Sequence, residues 1–182
     1  MQNEVIVSGF GGQGVLFAGQ LLSYAAMDSG LEVTWFPSYG PEMRGGTANC
    51  TVIISDEEIG APIVENPRAA IVMNLPSLDK YEGLVKPGGV LVINTSIVDR
   101  PVKRTDITVV RVPGNEIAEK LGNHRLANMV VLGGLLANLE IVPIDALKKA
   151  LQEHLPARHQ KLLPANMQAI DEGAASEVIP AK

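Results

Sequence analysis

Cysteine is almost missing from this chain: among 182 residues only Cys50 carries a thiol. One cysteine makes no intrachain disulfide, no four-cysteine zinc site and no iron–sulfur cluster. That usage predicts a cytoplasmic protein. Aromatic residues are scarce, at 4%, which leaves few platforms for stacking single-stranded bases. Fifteen Lys and Arg stand against 20 Asp and Glu, for a net charge of -5. The clustered positive excess of a nucleic-acid binder is not there. Long apolar runs are missing too. The most apolar stretch, Met129 to Leu139, is interrupted by two glycines and Asn138, and it falls well short of the ~20 residues of a membrane span. The start, Met1-Gln2-Asn3-Glu4, has no basic region of a secretory signal. What is present is 46% apolar content, enough for a sizeable core. The length predicts one domain, residues 1–172, followed by a small and polar tail, 173–182, that frays.

The first part of the chain alternates strand and helix. Glu4 to Ser8 is short, rich in β-branched residues and followed by glycine, which predicts a buried strand. Val15 to Met27 is apolar on nearly every face and reads as a buried helix that stops near Gly30. Glu32 to Phe36 is a second strand, closed by Pro37. A helix joins these two strands, so they should run parallel. Ala48 to Ser55 is the next strand, and it should be antiparallel because a loop precedes it. Ala69 to Asn74, Val90 to Asn94 and Asp106 to Val112 read as further strands, and Ser77 to Leu84 as a short helix. From Asn115 onward the chain reads as helical, with a long apolar helix over Arg125 to Leu139. Weaker amphipathic helices follow over Ile144 to Leu155 and Ala165 to Asp171. The fold class predicted is α/β: a three-layer Rossmann-like sandwich, a mostly parallel sheet and a helical C-terminal part.

Two segments carry chemistry. Gly9-Phe10-Gly11-Gly12-Gln13-Gly14 satisfies G-x-G-x-x-G between a strand and a helix. Glycines let the backbone approach a ligand, and the helix start offers unpaired N–H groups to a phosphate. A dinucleotide site also has an acidic residue at the end of the second strand, to hold the ribose. Here that strand ends Thr34-Trp35-Phe36-Pro37, and Glu32 sits at the wrong edge. Two readings stay open for the turn: an anion cradle, or glycines that only permit close strand–helix packing. The second segment is Tyr39-Gly40-Pro41-Glu42-Met43-Arg44-Gly45-Gly46. Its glycine and proline density, with an aromatic and a Met, predicts a shaped docking surface at the carboxyl end of a strand. A solvated turn with a local Glu42–Arg44 pair is the plainer alternative. His124, His154 and His159 lack partners in a ligand pattern, Cys50 reads as a buried strand residue, and G-x-S-x-G is absent. No catalytic set and no metal site is predicted.

The turn Gly9 to Gly14 and the run Trp35-Phe36-Pro37-Ser38-Tyr39-Gly40-Pro41-Glu42-Met43-Arg44-Gly45-Gly46-Thr47-Ala48-Asn49-Cys50 together resemble the gamma subunit of 2-oxoacid:ferredoxin (acceptor) oxidoreductases. Met73-Asn74, Pro87-Gly88-Gly89 and Leu121-Gly122-Asn123 with Arg125-Leu126-Ala127-Asn128-Met129 continue the match to about Leu139. The Pro-Glu-Met-Arg-Gly-Gly form is similar to the 2-oxoglutarate and branched-chain members.

The resemblance implies an oxidoreductase that decarboxylates a 2-oxoacid on thiamine diphosphate and magnesium. It passes electrons through iron–sulfur clusters to ferredoxin and forms acyl-CoA. The cofactor sites belong to alpha, beta and delta subunits, which would be this chain's partners. The chain itself is expected to hold no cofactor, to be inactive alone, and to meet neither nucleic acid nor membrane. Gly9, Gly11, Gly12, Gln13 and Gly14, or else the Arg44 loop, are the expected contact for CoA or its path into the active site. Tyr39 to Gly46 is the expected interface. The alternatives are a free-standing nucleotide-binding module or small NAD-dependent reductase, and a purely structural dimerising domain.

Overall fold

The computed structural model describes residues 1–39 and 46–181. Strands β1 (Gln2–Phe10), β2 (Glu32–Tyr39), β3 (Thr47–Ser55), β4 (Ala69–Val72), β5 (Val90–Asn94), β6 (Thr108–Val112) and β7 (Glu177–Ile179) form one sheet in the order β2-β3-β1-β4-β5-β6-β7. Pairs β1–β4, β4–β5 and β5–β6 are parallel, and β1–β3, β2–β3 and β6–β7 are antiparallel. Five of the seven strands therefore share one direction.

The sheet is covered on both faces because its central strands are apolar on both. Residues of β1, β4 and β5 alternate between two cores. Val5, Val7, Ile71 and Val92 face the larger core with helices α1 (Val15–Asp28), α4 (Ala127–Leu136), α5 (Ile144–His154) and α6 (Leu163–Ala174). Ile6, Ala70, Val72, Leu91 and Ile93 face the smaller one with α2 (Leu75–Tyr81) and the segment around Val98 and Ile107. Helix α3 (Gly114–Lys120) contributes Ala118 to the larger core. All ten residues of α4 are buried, so it has no polar face.

Several sequence expectations change here. β1 and β2 do run in one direction, but they are not neighbours: β3 lies between them, antiparallel to each. Strand β2 does not stop at Pro37. It continues to Tyr39, with Pro37 opposite Cys50. Because β2 is an edge strand, the missing proline N–H interrupts no second ladder. The first short helix starts at Leu75, earlier than expected, because Asn74 caps it by accepting from Ser77 N at 2.9 Å. The long apolar helix is broken at its entry into a 3-10 turn, His124–Leu126, followed by α4. The tail that composition reads as frayed adds β7 to the sheet edge, where Val178 lies opposite Val110, although all three β7 residues remain exposed.

An ion network ties the segment before β6 to α2. Arg100 bonds Glu82 at 2.8 Å and Asp79 at 2.9 Å, and Glu82 also accepts from Lys103 N. Burial pushes the Glu82 carboxyl up. The Lys103 N–H and the Arg100 guanidinium outweigh that and hold it below its ordinary value of 4.5. The ionised form is thus favoured in the folded chain. Its stabilisation is present above pH 4.5 and is lost as pH falls through the lower folded value. Glu82→Gln should cost about 1–2 kcal/mol at neutral pH. Urea titrations across pH should see that deficit shrink in acid. A deficit independent of pH would rule out the charge as its cause.

Candidate functional site

The glycine turn sits at the carboxyl end of β1, where the chain leaves toward β2 on one side of the sheet centre and β4 begins the other side. Ligands bind at such a reversal in open α/β sheets. Here the chain fills much of the crevice itself. The Gln13 amide folds back: its Oε1 accepts from Phe10 N at 2.6 Å and its Nε2 donates to Met73 O at 3.2 Å. A Cβ at Gly9 would sit 2.5 Å from Gln13 Oε1 and 2.8 Å from Met73 Cβ. At Gly14, left-handed with φ +74, a Cβ would meet the Asn128 amide, whose Nδ2 donates to Gly14 O at 3.1 Å. Gly9 and Gln13 are thus occupied with packing, while Gly14 both packs on Asn128 and lines the cleft beside the start of α1.

Gly11 and Gly12 are placed differently. With Leu16, Phe17, Trp35, Pro37 and Ala48 they line an open cleft of about 680 Å³ beside the start of α1. Among the described residues no side chain caps α1, whose first-turn N–H groups have no intrahelical partner. Gly12 has φ +96, is exposed, and among the described residues has nothing within 4 Å of a Cβ position. The indole N–H of Trp35 is buried beside Gly19 and faces the Cys50 sulfur, and the Asn74 amide Nδ2, outside the cleft lining, is buried with no hydrogen-bond partner among the described residues. The cleft has the size of a small-molecule site, about 300–1,000 Å³. Among the described residues no charged side chain lines it.

The second motif converges on the first. Gly46 O accepts from Gly11 N at 2.9 Å, so the end of the Tyr39–Gly46 run is bonded to the glycine turn. Tyr39 ends β2, and Gly46 precedes β3. Gly40, Pro41, Glu42, Met43, Arg44 and Gly45 lie outside the described residues. Beside the loop, Phe36 is 59% exposed on the uncovered face of β2. Cys50 lies fully buried under α1; burial pushes its thiol up to about 11, with the Trp35 indole opposing. A thiol so placed is neither a nucleophile nor a metal ligand at neutral pH.

One cluster has no signal in the sequence. His154 Nε2 lies 3.0 Å from Asp28 Oδ2, across 126 residues, and Glu153 brings a third ligand atom within 4.8 Å of both. His154 also stacks on Tyr24 at 4.1 Å. All three polar side chains are exposed, and the stack and the His154–Asp28 hydrogen bond clamp the end of α5 onto α1.

Comparison with known proteins agrees with this geometry. Residues 4–176 match the family described as pyruvate ferredoxin/flavodoxin oxidoreductase. The chain is 38% identical over 173 residues to ketoisovalerate oxidoreductase subunit VorA of Methanothermobacter marburgensis, covering 94% of this chain and 36% of the relative. It is 36% identical over 159 residues to 2-oxoglutarate synthase subunit KorC of Methanocaldococcus jannaschii, covering 86% and 85%. The chain thus spans about a third of the ketoisovalerate relative and most of the 2-oxoglutarate one. The gamma subunit of a keto/oxoacid ferredoxin oxidoreductase from Geobacter sulfurreducens superposes with TM-score 0.80 at 29% identity, over 94% of this chain and 96% of that one. A 2-oxoglutarate:ferredoxin oxidoreductase from Magnetococcus marinus, solved with 2-oxoglutarate, coenzyme A and succinyl-CoA, superposes with TM-score 0.86 at 25% identity, over 96% of this chain and 30% of that one. Matched by the family over residues 4–176 and 36% identical to a relative across most of both chains, the chain belongs to the pyruvate ferredoxin/flavodoxin oxidoreductase family.

Proposed function

We propose that this chain is the gamma subunit of a 2-oxoacid:ferredoxin oxidoreductase acting on 2-oxoglutarate or a branched-chain 2-oxoacid. The observation that carries the reading is the end-to-end likeness to the Geobacter gamma subunit. Its partners are alpha, beta and delta subunits in the cytoplasm, with ferredoxin reached through them. A second fact supports a partner. The same domain makes up about a third of the ketoisovalerate and Magnetococcus polypeptides, so in those proteins it is joined to further chain. In a separate subunit the equivalent contacts are made across an interface.

Thiamine diphosphate, magnesium and iron–sulfur clusters belong to those partners, and the residues of this chain do not suit them. One buried, strongly protonated Cys50 is no cluster ligand. CoA fits better. The exposed backbone of Gly12 and the first-turn N–H groups of α1 offer donors in a cleft of suitable size, while the Gly11 N–H is taken by Gly46 O. Bound there, CoA would supply the thiol that accepts the acyl group. The apolar walls of Phe17, Trp35 and Pro37 would orient its body and exclude water from it.

The test is an anaerobic pull-down of the tagged chain from its native extract, with CoA-dependent reduction of viologen by several 2-oxoacids as the assay. Recovery of thiamine- and iron-containing partners with activity is expected, and the preferred oxoacid names the substrate. Recovery of the chain alone would end the subunit reading. In the recovered complex, Gly11→Asp should raise the KM for CoA about tenfold or more by placing a carboxylate against the phosphates. An unchanged KM would remove the glycine turn from the CoA path and leave it a packing device.

A further inference from the structure

A second cleft, of about 310 Å³, lies on the other side of Phe17, between the start of α4 and the turn that joins α5 to α6. It carries what the glycine cleft lacks. Arg125, Arg158 and His159 line it, and among the described residues no carboxylate does. Neither arginine forms an ion pair among the described residues, in a chain whose net charge is -5. Two 3-10 turns remote in sequence bring these three side chains together. The Asn123 side chain accepts from Arg125 N at 3.1 Å and sets the 3-10 entry to α4. Pro156 starts the second 3-10 turn, which carries Arg158 and His159.

The two later residues are oriented for a ligand. Arg158 Nε donates to His159 Nε2 at 3.1 Å, which makes that imidazole nitrogen an acceptor and holds the guanidinium plane. The terminal N–H groups of Arg158 remain free to grip an anion as a fork. The cleft is too large for a phosphate ion alone, since ligand sites start at about 300 Å³. Phe17, Leu155 and Leu162 give it an apolar wall. A phosphate head with a flat or apolar body satisfies both halves.

We infer that Arg125 and Arg158 form a binding site for the phosphate of an organic phosphate ester, whose body lies against Phe17 and Leu155. The site is separate from the glycine turn and does not rest on the CoA reading: Arg125→Met tests the one and Gly11→Asp the other.

The experiment is calorimetric titration of the full chain with adenosine 3′,5′-bisphosphate, with unphosphorylated adenosine as control. Saturable binding at a Kd of about 1 mM or tighter is expected, with none for adenosine. Arg125→Met and Arg158→Met should each weaken it about tenfold or more. Lys161→Met, which removes a charge from the same turn outside the cleft, should change it less than about twofold. Thermal melts of each variant should match the parent, since neither arginine side chain bonds the core. No saturable binding, binding unchanged in both arginine variants, or an equal loss from Lys161→Met would each overturn the site.

Discussion

Replacing Gly173 by Ala should lower the melting temperature by about 10 °C, and Gly133→Ala should do the same. In most helices this exchange stabilises by about 1 kcal/mol, because Ala is the better helix former. Here packing opposes propensity. Helices α4 and α6 cross backbone to backbone. A Cβ on Gly173 would overlap Val130 O, and one on Gly133 would overlap Ile170 O. Carbonyl groups within a helix cannot rotate aside as a side chain can, so the helices must separate. That opens the contact between a fully buried α4 and the Asn166, Ala169, Ile170 and Gly173 face of α6. Overpacking of this kind costs about 3 kcal/mol, a large part of the ~5–15 kcal/mol that holds a domain together. A neutral or stabilising Gly173→Ala in a thermal melt would refute the crossing.

The second large effect is expected at Gly19, in the middle of α1. A Cβ there would overlap Cys50 Sγ and lie 3.3 Å from Trp35 Nε1 and Val52 Cγ2. The helix is held down on β3 at this point, for the Cys50 thiol donates to Val15 O at 3.5 Å. Gly19→Ala should cost about 2 kcal/mol. Cys50→Ala alone should cost about 1 kcal/mol, from the small cavity it leaves. The double variant removes the overlap, because the sulfur has gone and the remaining neighbours lie at tight but tolerable range. It should therefore be more stable than the sum of the two by about 1–2 kcal/mol. Urea unfolding of the four proteins measures this. Strict additivity would mean that Gly19 is small for some reason other than the Cys50 sulfur. The same contact explains a restriction on the glycine cleft: α1 lies close on β3 there, and Trp35 is trapped at its wall.

Local pattern carried much of this protein. The apolar runs Ala69 to Val72 and Val90 to Asn94 are strands buried on both faces, and no other element takes such a run at that length. The glycine turn, its strand and its helix were legible together, since each is a feature of a few neighbouring residues. The run from Trp35 to Cys50 carried the family resemblance, and the family match over residues 4–176 agrees with it. Tertiary structure alone decided the rest, because strand order and side-chain convergence depend on contacts between distant segments. Pattern joined β1 to β2 through a helix but had no means of seeing that β3 inserts between them. Pro37 looked like a strand end, yet it is harmless on an edge whose outer side has no ladder. Gln13 belonged by spacing to a phosphate motif, but its amide is held by Phe10 N and Met73 O. Gly133 and Gly173 carried no special mark in a helical pattern until α4 and α6 crossed. Arg125 and Arg158, 33 residues apart, acquire a common cleft only when α4, α5 and α6 pack on one face of the sheet.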